Sequence, residues 1–186
     1  MWIIWYTPAV PVTYATRDPI NKNAAITLSN WNLTTTDTSD WRSGVRATIS
    51  KTSWKRYWEV RILNDWAFPN NTVCWICNSS YTFWYPVDIN GRWYHWDGKI
   101  YHNGVSGWTN TSFTTNDTIW IAWDVDAGTL KFYKNNVLQA ASFSGLGSWL
   151  FPHVWTYYTN SSNVVNFWAT TMAYTAPSWY NQWFYT

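Results

Sequence analysis

From Thr118 to Phe143 the chain reads TIWIAWDVDAGTLKFYKNNVLQAASF, and few folds accommodate that pattern. Ile119, Ile121, Trp123 and Val125 recur at two-residue spacing, which in extended chain places all four on one face. After DAGT, Leu130 and Phe132 repeat the period. Asn135 and Asn136 then interrupt it, and paired asparagines suit the positive φ angles of a two-residue hairpin turn. Strands joined by tight turns and apolar on one side must cover that side with a second layer. No window of helix length carries an apolar stripe at 3.6-residue spacing, so the expected cover is another sheet.

The remaining sequence extends the pattern. Strand-length runs recur at 24–29, 45–50, 56–63, 72–78, 98–103, 150–158 and 163–168. Between them lie clusters of Asn, Asp, Gly, Ser and Thr, which tolerate left-handed backbone or cap turns with their own side chains. The expected architecture is all-β, a β-sandwich of two antiparallel sheets packed face to face. Residues 1–20 are expected to form a loosely structured N-terminal arm. Residues 21–186 then form a single domain, long enough to bury a substantial core.

Charge and composition narrow the function. The formal net charge is +2, charged residues reach only 12%, and Lys and Arg form no runs. Neither nucleic acid nor an anionic membrane is therefore an expected partner. No apolar run nears the roughly 20 residues that span a bilayer, so membrane insertion is not expected. The opening MWIIWYTPAVPV lacks a basic region and is cut by Pro8 and Pro11, which argues against a secretory signal. Cys74 and Cys77 form a CxxC without a second Cys or His pair at metal-site spacing. They lie in a strand run, where they face opposite ways, and read as two buried apolar residues rather than a metal or redox site.

Nineteen tryptophans against eight glycines is an odd ratio for a fold built on tight turns, because only glycine enters several turn conformations without strain. Trp31 in LSNWNLT, Trp54 in KTSWKR, Trp96 in YHWDGK, Trp168 in NFWATT and Trp179 in APSWYN all occupy turn contexts. Trp41 and Trp58 read instead as ordinary core aromatics. With glycine placed at the odd sites, the blocks ITLSN, VRATISKTS, KRYWEV, ICNSSY, DGKIYHNG, DVDAGTLKFYKNN and ATTMAYTAPS resemble a SPRY domain. The version found in bacteriophage and bacterial proteins is nearest, and the resemblance runs from about Ala24 to Tyr180. It implies a bent sandwich of concanavalin A-like jelly-roll type, non-enzymatic, whose loops bind a partner, usually a protein.

Where the family pattern has glycine, this chain carries tryptophan at 54, 75, 84, 96, 120, 168 and 179, among others. UGA means tryptophan in some genetic codes and glycine in others. Seventeen of the tryptophans are read here as glycines translated with the wrong table; a chain with a truly aromatic surface is the alternative. Under the first reading Trp41 and Trp58 carry UGG codons, the others mostly UGA, and the native mass falls below 21.9 kDa.

No catalytic set, cofactor site or metal site is expected. The single Glu, Glu59, reads as structural, paired with Arg46 or Arg61. Asp97, Asp117 and Asp126 stand where Asp caps turns. His95, His102 and His153 are scattered, and no nucleophile elbow or phosphate-cradling loop occurs. Recognition is the better class, and loops on a rigid scaffold are where recognition sits. In the long connection 78–99, Tyr81, Phe83 and Tyr85, with Asp88 and Asn90, are expected to form one wall of a ligand site, or else an extra strand or packing flap. The loop at 64–72 adds Phe68 and Asn70. The expected partner is a protein, with a cell-surface glycan as the lectin-like alternative, in a phage virion, a cell surface or a larger assembly.

Overall fold

The computed structural model describes residues 13–64, 72–81, 91–102 and 105–180. Among these residues the secondary structure is fourteen strands and no helix. In chain order they are β1 (Arg17–Lys22), β2 (Ile26–Ser29), β3 (Thr34–Asp37), β4 (Ser43–Ala47), β5 (Lys55–Asn64), β6 (Thr72–Cys77) and β7 (Gly91–His95). There follow β8 (Lys99–His102), β9 (Val105–Thr109), β10 (Thr118–Asp124), β11 (Thr129–Lys134), β12 (Val137–Phe143), β13 (Phe151–Thr156) and β14 (Ser162–Asn166). They form two seven-stranded sheets, ordered β1-β4-β13-β6-β7-β8-β9 and β12-β11-β10-β5-β14-β3-β2. This is the expected antiparallel sandwich.

The hairpin that opened the sequence reading lies in the second sheet. Ile121 pairs with Phe132 and Trp123 with Leu130, and all four are buried between the sheets with Ile119 and Val125. Asn135 and Asn136 have φ of 47° and 70°, the left-handed pair that lets a two-residue turn follow the twist of its strands. From β5, Trp58, Val60 and Ile62 enter the same core, and Cys74, Ile76 and Val154 meet them from the first sheet. Cys77 points the other way, into a smaller cluster with Val73, Trp75 and Trp155; both cysteines are buried.

Three expectations need correction. The arm assigned to residues 1–20 is already a strand from Arg17, whose side chain is buried and donates to Asn163 Oδ1 at 3.1 Å. Strands β3, β7 and β9 were not expected at all. The run TTTD of β3 has no apolar residue to reveal an inward face; Thr35 and Asp37 are its buried positions. Glu59 pairs with neither Arg46 nor Arg61. Its carboxylate accepts from the Tyr57 hydroxyl at 2.6 Å and from the backbone amides of Ala173 and Tyr174 at 2.8 and 2.9 Å.

That clamp fastens the C-terminal segment across the outer face of the second sheet, where Tyr57, Trp120 and Met172 form a cluster. Burial and the Glu59 carboxylate together drive the Tyr57 hydroxyl pKa far above its ordinary value. Replacing Glu59 with Ala leaves a buried hydroxyl without its acceptor, a loss of about 1–3 kcal/mol, and two part-buried amides that water can partly satisfy. Glu59→Ala is expected to destabilise the domain by about 2–4 kcal/mol in urea denaturation, with amide exchange rising first at 173 and 174. A change smaller than about 0.5 kcal/mol, typical of a neutral surface substitution, would contradict the clamp.

Candidate recognition groove

The β3–β4 connection, the turn after β1 and the β13–β14 connection border an open groove of about 770 Å³ at one end of the sandwich. It is lined by Asn23, Ala25, Ser39, Asp40, Trp41, Arg42, Ser43, Tyr157 and Tyr158. Strand pairing puts these segments side by side. Thr156, the last residue of β13, lies opposite Ser43 at the start of β4, so the chain entering β4 and the chain leaving β13 emerge together.

Hydrogen bonds stitch the rim. Asp37, buried at the end of β3, accepts from the Ser39 amide at 3.0 Å and from the Thr156 hydroxyl at 2.9 Å. It thereby joins a strand of one sheet to a strand of the other. Ser39 Oγ lies 3.0 Å from the same carboxylate and 2.9 Å from the Trp41 carbonyl. The Thr159 hydroxyl donates to Asp40 at 2.8 Å, and the Thr38 amide and hydroxyl both reach the Ala25 carbonyl, at 3.0 and 2.8 Å. Asn160 N donates to the Asp37 carbonyl at 2.8 Å, and Asp37 N to the Ser161 carbonyl at 3.0 Å.

On this frame Trp41 stands 82% exposed. The expectation that it belongs to the core is overturned: the bonds that turn the 38–42 segment outward carry its indole with them. The Arg42 guanidinium lies over the Tyr157 ring at 4.9 Å and the Trp155 ring at 5.8 Å, close enough for cation–π attraction. A flat indole, a stacked cation, the Asp40 carboxylate and the Asn23 amide equip the groove to grip a ligand by packing and hydrogen bonds. Elsewhere, Glu59 is bonded by the C-terminal segment, Asp97 by His95 and the Lys99 amide, and Asp126 by the Trp54 amide. Among the described residues no group of three or more His, Cys, Asp or Glu could hold a metal ion, and no helix is long and apolar enough to cross a membrane.

Of the ligand-site residues singled out in the sequence, Tyr81 alone is among those described. Phe68, Asn70, Phe83, Tyr85, Asp88 and Asn90 lie outside the described residues. Their anchoring strand ends do not coincide. Asn64 and Thr72, which flank the first loop, sit beside the groove: Asn64 Nδ2 donates to the Asn160 carbonyl at 2.9 Å, and Thr72 pairs with Thr156. Cys77 and Gly91, which bracket the second connection, pair with each other at the far end of β6, about 17 Å away by the rise of a strand. Tyr81 is only 5% exposed, its ring packed edge-on to Trp75 at 4.5 Å and near His153 at 5.4 Å. That is the packing position the sequence left open as an alternative. Sequence reasoning missed the groove because SDWRSG carries no motif, and its one signal was a tryptophan set among turn residues.

Burial lifts the Asp37 carboxyl above its ordinary 3.8, only partly opposed by the hydrogen bonds it accepts. The folded state then holds that proton more tightly than the unfolded chain. The site contributes stability below the ordinary carboxylate pKa and loses it as pH rises through the elevated value. The stability of the wild type minus that of Asp37→Asn, measured by urea denaturation at a series of pH values, is expected to fall across that window. A flat or rising difference contradicts the assignment. Asp37→Ala, which breaks the stitch outright, is expected to cost about 2–3 kcal/mol.

The SPRY domain sequence profile matches residues 55–170. No curated protein is similar in sequence. Among solved structures, the SPRY domain of human HERC1 superposes with a TM-score of 0.74 at 22% identity, covering 83% of this chain and 99% of that one. The TRIM65 PSpry domain gives 0.66 at 14% identity, covering 83% and 90%, and a human SPRY domain gives 0.66 at 18%, covering 79% and 98%.

Proposed function

Because this chain belongs to the SPRY domain family, we propose that it is a non-catalytic recognition module that seizes a protein partner in the groove around Trp41. SPRY domains are protein-interaction modules and generally not enzymes. The observation that carries the reading is a solvent-facing indole on a segment fixed by a buried carboxylate. Rigid aromatic anchors next to a charged side chain are the usual energetic centres of protein interfaces, and fixing them beforehand lowers the ordering cost of binding. Phe68, Asn70, Phe83, Tyr85, Asp88 and Asn90, on the two long connections, are proposed as further contact residues of the same module. The proposed setting is a phage virion or a related surface assembly, which the resemblance to bacteriophage and bacterial versions of the family implies. The tryptophans in glycine-like turn positions belong to the same reading, as glycines written with the wrong codon table.

One observation favours a lectin-like alternative: an exposed indole beside the Asp40 carboxylate and the Asn23 amide offers a stacking face and polar edge suited to a pyranose ring. A displayed peptide library and a glycan array, both probed with the whole domain, separate the two. Peptide binders that Trp41→Ala weakens about 30-fold, the scale of an interface anchor worth roughly 2 kcal/mol, are the expected result, with the urea midpoint unchanged. Glycan hits lost in the same variant would shift the reading to a lectin. Binders indifferent to Trp41→Ala would remove the groove from both.

A further inference from the structure

Left-handed backbone is open to glycine, and at modest cost to asparagine, whose short side chain can bond locally; other L residues crowd the carbonyl that follows. Among the described residues, eleven positions other than glycine have φ between 47° and 74°. Six are asparagine: Asn30, Asn32, Asn116, Asn135, Asn136 and Asn160. The other five are Trp31, Trp54, Trp149, Trp168 and Trp179. Aspartate, serine and threonine crowd the same turns and contribute none. A restriction that admits only the most tolerant side chain and one of the bulkiest is not a preference of tryptophan.

The surroundings point the same way. Trp31, Trp54, Trp149 and Trp179 are 87, 59, 66 and 86% exposed, so burial of the indole does not offset the backbone cost. What the four exposed positions supply is main chain; at the half-buried Trp168 the indole also donates to the Tyr57 carbonyl at 3.2 Å. Trp54 N donates to both Asp126 oxygens at 3.1 Å, and its carbonyl accepts from Val125 N at 3.1 Å. Trp149 N donates to the Lys51 carbonyl at 3.0 Å, and Trp168 N to Asn166 Oδ1 at 2.9 Å. A residue without a side chain performs every one of these main-chain tasks.

We infer that positions 31, 54, 149, 168 and 179 are glycine in the native protein, specified by UGA codons that its source reads as glycine. Trp41 and Trp58 have no such backbone, so nothing in their conformation asks for glycine. The assignment is narrower than the seventeen sites marked in the sequence. Trp75 and Trp120 lie in strands β6 and β10, where φ makes no demand for glycine. It is also independent of what the groove binds.

Peptide mass spectrometry of the protein isolated from its source reads each position directly. Glycine at all five, with tryptophan at 41 and 58, is expected; tryptophan at any of the five overturns the assignment. The chain as written supplies a second readout through Trp31→Gly, Trp54→Gly, Trp149→Gly and Trp179→Gly, made singly. After allowing for the greater entropy glycine loses on folding, each is expected to raise the folded-to-unfolded ratio about five-fold in urea denaturation. A ratio unchanged or lowered across the four overturns the backbone argument.

Discussion

The fold depends on one strand buried on both faces. Strand β5 pairs with β10 on one side and β14 on the other. It sends Trp58, Val60 and Ile62 between the sheets while Tyr57 and Glu59 lie under the C-terminal segment. A slip of one residue would exchange those sets, driving the Glu59 carboxylate into the intersheet core and Trp58 to the outer face. Burying an ionised carboxylate away from its partners costs several kcal/mol, so the register is fixed from both sides at once. The order of the second sheet follows from that choice.

The same constraint reaches the groove. The end of β5 delivers Asn64 to the β13–β14 connection, where its amide holds the Asn160 carbonyl. Asp37 completes the junction by bonding Thr156 across the gap between the sheets. A rim tied to both layers has little freedom left to lose when a ligand arrives, and that is how a sandwich turns packing energy into a preformed binding surface. Exposed loops tied to one sheet alone would have to be ordered by the partner.

How much of this was legible in the sequence depends on whether a residue's role is local. The β10–β11–β12 meander could be read because its apolar residues keep a period of two and its turn carries Asn135 and Asn136. The function class could be read from sequence blocks that resemble a family. Strand β3 could not, since its inward residues are the polar Thr35 and Asp37, and two of their partners, Asn163 and Thr156, lie more than a hundred positions away. Trp41 failed for the opposite reason: a large aromatic near a strand suggests burial, and only the hydrogen bonds of Ser39 and Asp37 show that its segment turns outward. Glu59 shows the same limit, because two of its three partners are backbone amides that no composition announces.

Two kinds of tryptophan emerge, and the division bears on recognition. Indoles such as Trp58 and Trp123 fill the interior, where a large side chain is an asset. Among the described side chains the exposed ones are Trp31, Trp41, Trp54, Trp149 and Trp179, and four of the five stand on left-handed backbone. With glycine at those four, Trp41 is the one exposed indole left among the described side chains, in the groove that both sheets hold rigid. The chemistry of turns, which has no direct bearing on binding, thus isolates the side chain on which binding is proposed to rest.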